Sequence, residues 1–207
     1  MKVGIINYGM CNLNSVRRSF EEIGADVVLA SHPSALYDVD RIGLPGVGAF
    51  AEGMAHLNAG GWVPALHDLI YIQHKPLLGI CLGMQMLASK GYEGIETPGL
   101  DFISGEVKRI DLLGCNERIP HMGWNEVRYK AKSIIFDSIP DSSDFYFVHS
   151  YSFEVNNLDN LIATVDYECE LTAVVSSNNV FGCQFHPEKS SKAGRQMLKN
   201  FMSYSAC

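Results

Sequence analysis

Residues 2–30 run KVGIINYGMCNLNSVRRSFEEIGADVVLA, and this stretch decides the fold class. Lys2–Ile6 is a short apolar run of the kind that makes a buried strand. From Asn12 to about Ile23 the apolar residues Val16, Phe20 and Ile23 recur at helical spacing. Gly24 is a suitable C′ stop, and Val27–Ala30 reads as the next strand. A strand, a helix and a second strand within thirty residues make a β-α-β unit, which favours a parallel sheet with helices on its faces.

Outward from that unit the alternation continues. Arg41–Leu44 is a third strand and runs into Pro45-Gly46-Val47-Gly48. Helical text follows to about Ile72, broken near Gly60-Gly61, and Lys75-Pro76 ends it. Pro76–Ile80 is again strand and Leu82–Ser89 again helix. The second half changes character: residues 102–110, 119–129, 145–155, 160–166 and 171–185 read as strands. Asn178-Asn179 supplies a hairpin turn inside the last of these, and Ser190–Tyr204 a final helix. The expectation is one α/β domain over residues 1–207, a flavodoxin-like, mostly parallel central sheet flanked by helices and extended by antiparallel strands.

Length and composition set limits. The chain has 207 residues, 47% hydrophobic and 19% charged, enough to bury a core and too apolar for disorder. Its formal net charge of -7, with no basic run, argues against a nucleic-acid or anionic-membrane surface. Neither a signal-peptide pattern nor a run of about 18 apolar residues is present, so a soluble cytoplasmic protein is expected. Cys11, Cys81, Cys115, Cys169, Cys183 and Cys207 are scattered without a CxxC pair or zinc-ligand spacing. In a reducing compartment most of them are expected to be inert thiols.

The sharpest chemical feature is Gly79-Ile80-Cys81-Leu82-Gly83-Met84-Gln85, in which a strand ends on a cysteine and a helix begins. This is the thiol form of the G-x-S-x-G nucleophile elbow: glycines stand where side chains would collide, and the sulfur meets a helix N-terminus that favours thiolate. Alone, the pattern also fits a packing cysteine between two spacer glycines. Phe185-His186-Pro187-Glu188 tips the balance. His186 follows an apolar strand, Pro187 stiffens the segment, and Glu188 can accept a hydrogen bond from His186. Nucleophile, base and orienter are then all present. The Pro45–Gly48 loop could turn its N–H groups toward an anion, although by itself it also reads as a plain turn.

The PGVG, GICLGMQ and FHPEKS segments resemble those of class I, triad-type glutamine amidotransferases. Asn7-Tyr8-Gly9, Asn12-Leu13, Pro120-His121-Met122-Gly123-Trp124-Asn125 and Tyr146-Phe147-Val148-His149-Ser150-Tyr151 narrow the resemblance. They are similar to the glutaminase subunits of imidazole glycerol phosphate synthase, over Lys2 to Phe201. The resemblance implies that Cys81 attacks the side-chain amide of L-glutamine, with His186 as acid/base and Glu188 as its orienter. It implies oxyanion donors at Val47 and Leu82, and glutamine contacts at Gly48, Gln85, His149, Ser150 and Tyr151. Gln85, one helical turn after Cys81, can face the same pocket; His149, lacking an adjacent acid, suits a wall rather than a base. No cofactor and no metal are implied.

Read from the residues alone, Met122 and Trp124 pack inward. The resemblance instead turns them outward, with Tyr146 and Lys189, toward a barrel-shaped cyclase subunit in a heterodimer that receives the ammonia. Two positions depart from the family pattern: Cys11 where glycine is usual, and Asp101 where another glycine is common. They leave open a paralogue that feeds ammonia to a sugar-modifying enzyme of a surface-polysaccharide pathway. A non-catalytic regulatory or binding subunit is the reading of another class, against which the intact triad argues.

Overall fold

The computed structural model describes residues 1–205 and has two sheets. The described residues form thirteen strands and five α-helices: β1 (Lys2–Ile6), α1 (Leu13–Glu22), β2 (Asp26–Ala30), β3 (Arg41–Gly46), α2 (Phe50–Ala59), α3 (Trp62–His67), β4 (Leu77–Cys81) and α4 (Leu82–Gln85) make the first half. The second half holds β5 (Lys90–Gly91), β6 (Thr97–Pro98), β7 (Gly105–Arg109), β8 (His121–Tyr129), β9 (Ser143–His149), β10 (Tyr151–Val155), β11 (Leu161–Tyr167), β12 (Cys169–Ser177), β13 (Val180–Cys183) and α5 (Ser191–Ser203).

The main sheet has nine strands in the order β2-β1-β3-β4-β13-β12-β11-β8-β9. Pairing is parallel from β2 through β13 and antiparallel from there to β9. This is the expected parallel core with an antiparallel extension. Side chains alternate across it as strand geometry requires. Val3, Ile5, Leu78 and Ile80 enter a core cluster with Val16 and Phe20 of α1 and Leu198 and Phe201 of α5. Ile6, Leu44 and Leu77 enter a second cluster with Phe50, Met54 and Leu57 of α2 and Trp62 and Leu66 of α3. Helices therefore cover both faces. None of those described is long and apolar enough to cross a membrane.

The expected α1 matches closely, with Asn12 at its start and Gly24 at φ +87 beyond its end. The hairpin at Asn178 also matches, with that residue at φ +51. Four readings need correction. Leu82–Ser89 is not all helix, because the return loop claims its carbonyls: the amides of Leu100, Phe102 and Asp101 donate to the carbonyls of Met86, Leu87 and Ala88. Residues 145–155 are two strands that part at Ser150, β9 pairing with β8 and β10 with β7. With β5 and β6, these last two make a second, four-stranded sheet in the order β10-β7-β5-β6, which the sequence reading did not anticipate.

Two of the cysteines expected to be inert thiols are paired instead. Cys115 and Cys169 form a disulfide with Cα atoms 5.3 Å apart. They lie 54 residues apart in sequence, but β8 and β11 are neighbours, so the loop before β8 meets the turn between β11 and β12. Cys11, Cys81 and Cys183 are free thiols, and Cys207 lies outside the described residues.

Candidate active site

The carboxyl ends of the parallel strands β3, β4 and β13 are adjacent, where open α/β sheets place their binding crevices. β4 ends on Cys81, which stands at φ +55, ψ -111, a backbone state that costs of order 1–3 kcal/mol in a residue with a side chain. Its neighbours explain why the chain can turn there. A Cβ at Gly79 would lie 2.7 Å from the carbonyl oxygen of Gly83, and one at Gly83 would strike the carbonyl of Leu44. Only glycine at both positions lets β4 turn so tightly against β3. α4 is a single turn. Help for a thiolate therefore comes from its leading N–H groups rather than from a long dipole.

His186 follows β13 at φ -97, ψ 97, and Pro187–Lys189 forms one 3₁₀ turn. That turn brings Glu188 back, so that His186 Nδ1 lies 2.8 Å from Glu188 Oε1. Only 2% of the Glu188 side chain and 7% of His186 are exposed, so the pair is shielded from water. Burial opposes the imidazolium, yet hydrogen bonds to Cys81 and Glu188 outweigh it and push the His186 pKa up to about 10. The carboxylate must accept, so Nδ1 carries the proton toward Glu188 and Nε2 is left for the sulfur. Glu188 Oε2 is buried without a partner. The segment is pinned from behind. The His186 amide donates to Tyr146 O at 2.9 Å, and Ser190 Oγ donates to His186 O at 2.6 Å while accepting from the Tyr146 amide at 3.0 Å.

A cavity of about 370 Å³ opens over these groups. Cys81, His186, Val47, Leu82, Gly48, Gln85, His149, Ser150 and Tyr151 all line it, so the expected nucleophile, base, oxyanion and substrate residues converge. Glu188 stands behind His186. Glu93 also lines the cavity and was missed. A lone glutamate in a loop carries no motif, and its position follows only from its carboxylate accepting the Phe50 amide at 2.7 Å, at the start of α2.

Two expected roles are refined. The Val47 N–H, expected to serve an oxyanion, donates instead to Met10 O at 2.9 Å. Gln85, only 5% exposed, turns its Nε2 to the carbonyl of Tyr151 at 3.0 Å and so fixes the pocket wall. The same carbonyl accepts from His149 Nδ1 at 2.8 Å. His149 Nε2 is thereby an acceptor, 2.9 Å from His121 Nδ1. Burial pushes the His149 pKa down to about 3, outweighing the Tyr151 carbonyl, so His149 is neutral where it lines the cavity.

Met122 and Trp124 alternate with His121 and Asn125 along β8 and point outward, 60% and 50% exposed. Trp124 and Tyr146 meet edge to face at 6.0 Å, and Lys189 Nζ lies 5.5 Å from the centre of the Tyr146 ring. Exposed Trp124 and Lys189 thus meet around half-buried Tyr146 in one surface patch, with Met122 two residues along the same strand face. Of the two departures, Cys11 is half-buried with Sγ 3.6 Å from Ile6 O, and burial raises its thiol to about 11, a packing role. Asp101 stands at φ +55, the region glycine favours.

Comparison with known proteins agrees with this geometry. The family model for "Glutamine amidotransferase class-I" matches residues 4–204. The imidazole glycerol phosphate synthase subunit HisH of Moorella thermoacetica is 43% identical over 199 residues, covering 96% of this chain and 93% of that one. The HisH subunit of Pelagibacter ubique is 42% identical, covering 98% and 100%. Among solved structures, that of PurLQS from Thermotoga maritima superposes with a TM-score of 0.76 over 98% of each chain at 16% identity, a likeness of fold. A strained cysteine elbow, a buried His–Glu pair and near full-length relatives lead to one conclusion: the chain belongs to the class I glutamine amidotransferases, among the HisH subunits of imidazole glycerol phosphate synthase.

Proposed function

We propose that this chain, as one glutamine amidotransferase domain, hydrolyses L-glutamine to glutamate and ammonia through a thioester at Cys81. It passes the ammonia to a cyclase barrel subunit that forms imidazole glycerol phosphate and AICAR in L-histidine biosynthesis. The observation that carries the proposal is the convergence of the Cys81 elbow and His186, with Glu188 behind it, on one cavity. With His186 already protonated on Nε2 by its raised pKa, the Cys81 thiolate bonds to the glutamine amide carbon, and the carbonyl electrons move onto the oxygen. The tetrahedral intermediate collapses, His186 gives its proton to the leaving nitrogen, and ammonia departs. Water then attacks the thioester, giving its proton to His186, and glutamate leaves as Sγ is restored.

The remaining residues support that sequence. Leu82 carries the first N–H of α4, which has no acceptor within the helix, and suits the developing oxyanion. Val47 becomes the second donor once its N–H leaves Met10 O. Gly48 and the wall formed by His149, Ser150 and Tyr151 surround the substrate, and the Glu93 carboxylate suits its α-ammonium group. The surface patch of Met122, Trp124 and Tyr146, edged by Lys189, has the aromatic and methionine make-up of a subunit interface and supports a heterodimer with the barrel.

A diazoketone analogue of glutamine tests the assignment. Peptide mapping should find one adduct, on Cys81. Modification at Cys11 or Cys183, or none at all, would contradict it.

A further inference from the structure

We infer that Gln184 is a further catalytic residue, whose side-chain amide donates an N–H to the sulfur of Cys81 and holds it as the attacking thiolate. This rests on the reading of Cys81 as nucleophile. Gln184 stands just after β13, next along from Cys183, which pairs with Ile80 of β4, so it lies beside Cys81 across the parallel ladder. Two residues before His186, it shares that residue's side of the chain. Its side chain is fully buried. A primary amide taken out of water needs partners at both ends. Gln184 has them: Nε2 is 3.7 Å from Cys81 Sγ, and Oε1 is 3.0 Å from Gln85 Nε2.

The polarity of this chain is decided by a backbone atom. Amide oxygens and nitrogens are assigned from their networks. The Tyr151 carbonyl can only accept, so the Gln85 atom 3.0 Å from it is nitrogen. The second hydrogen of that nitrogen points to Gln184, whose facing atom is therefore oxygen. The end of Gln184 toward the sulfur is then its NH₂ group, a donor.

The other groups at Sγ make that donor matter. The Val148 carbonyl, 3.9 Å away, suits a thiol that donates and opposes a thiolate. His186 favours the thiolate but must surrender and recover a proton during the reaction. Gln184 is a neutral donor that stays in place throughout. Its bond to sulfur is strongest when the sulfur is negative and weakest in the thioester.

The test is the pH dependence of Cys81 alkylation by iodoacetamide in the full chain, mapped by peptide so that Cys11 and Cys183 report separately. Wild type is compared with Gln184→Met, an apolar near-isostere, and Gln184→Glu, which keeps the shape. The Cys81 midpoint should rise by about one pH unit in Gln184→Met, the scale of one charge-assisted donor. It should rise at least as far in Gln184→Glu, where a carboxylate faces the sulfur. A merely structural role would lower the melting temperature and leave the midpoint in place. An unmoved midpoint in folded Gln184→Met overturns the inference, and Gln184→Leu, which removes the donor without adding charge, takes its place if Gln184→Met does not fold. Should Cys81→Ala keep its glutaminase activity, the nucleophile reading falls and this inference with it. An inactive Cys81→Ala with an unmoved midpoint removes Gln184 alone.

Discussion

Cys81 and His186 depend on each other through charge, and their neighbours set the terms. Glu188 holds the ring by one 2.8 Å bond, from a position where its second oxygen has no partner. An orienting carboxylate contributes less to rate than the base it orients. His186→Ala should therefore lose several orders of magnitude in kcat and Glu188→Ala fewer, measured with saturating glutamine and the activated complex. A larger loss at Glu188 would contradict the roles. The same pair leaves a mark on stability. A histidine whose pKa is raised on folding contributes stability that is fully present below its ordinary value of 6.5 and lost as pH rises through about 10. Melting temperature should thus fall between those pH values in wild type, and His186→Ala should remove that part of the slope. Parallel melting curves for the two proteins would count against the raised value.

At the scale of elements, the proposed function assigns the Pro45–Gly48 loop to the oxyanion and the β8–β9 patch to the partner. Gly48 stands at φ +107 and Val47 is 45% exposed, so the loop crest has room to turn. Its Val47 N–H is held by Met10 O, and one oxyanion donor is worth about 10²–10³ in rate. The isolated chain should therefore hydrolyse glutamine slowly and be accelerated by the partner with its nucleotide ligand. The route inward is short. Tyr146 meets Lys189 on the surface patch through its ring and holds the His186 amide through its carbonyl. Trp124→Ala should weaken both association and activation, read as the dissociation constant and the steady-state rate with and without partner. Full activity in the free chain would show an oxyanion hole already built.

Across the whole molecule, what was legible in the sequence were the features in which local rules and tertiary structure agree. Asn12 and Gly24 bound α1, and Gly79 and Gly83 mark the elbow because no other residue fits those gaps. Cys81, His186 and Glu188 were legible because a strand-turn-helix and a His-Pro-Glu turn each impose geometry on their own residues. The second sheet was not, since β5 and β6 are two residues each and have no period to read. Glu93 and Gln184 carry no motif and owe their places to contacts 43 and 103 residues away along the chain, with Phe50 and Cys81. The Cys115–Cys169 pairing depends on which strands become neighbours, and spacing cannot show that.

The most direct test of the account compares Cys81→Ala with wild type in complex with the barrel subunit and its nucleotide ligand, following ammonia release from glutamine and product formation from ammonium salt. The account predicts that the variant binds its partner, releases no ammonia from glutamine and still supports the ammonium-driven reaction at the wild-type rate. Glutamine hydrolysis that survives the substitution would contradict it.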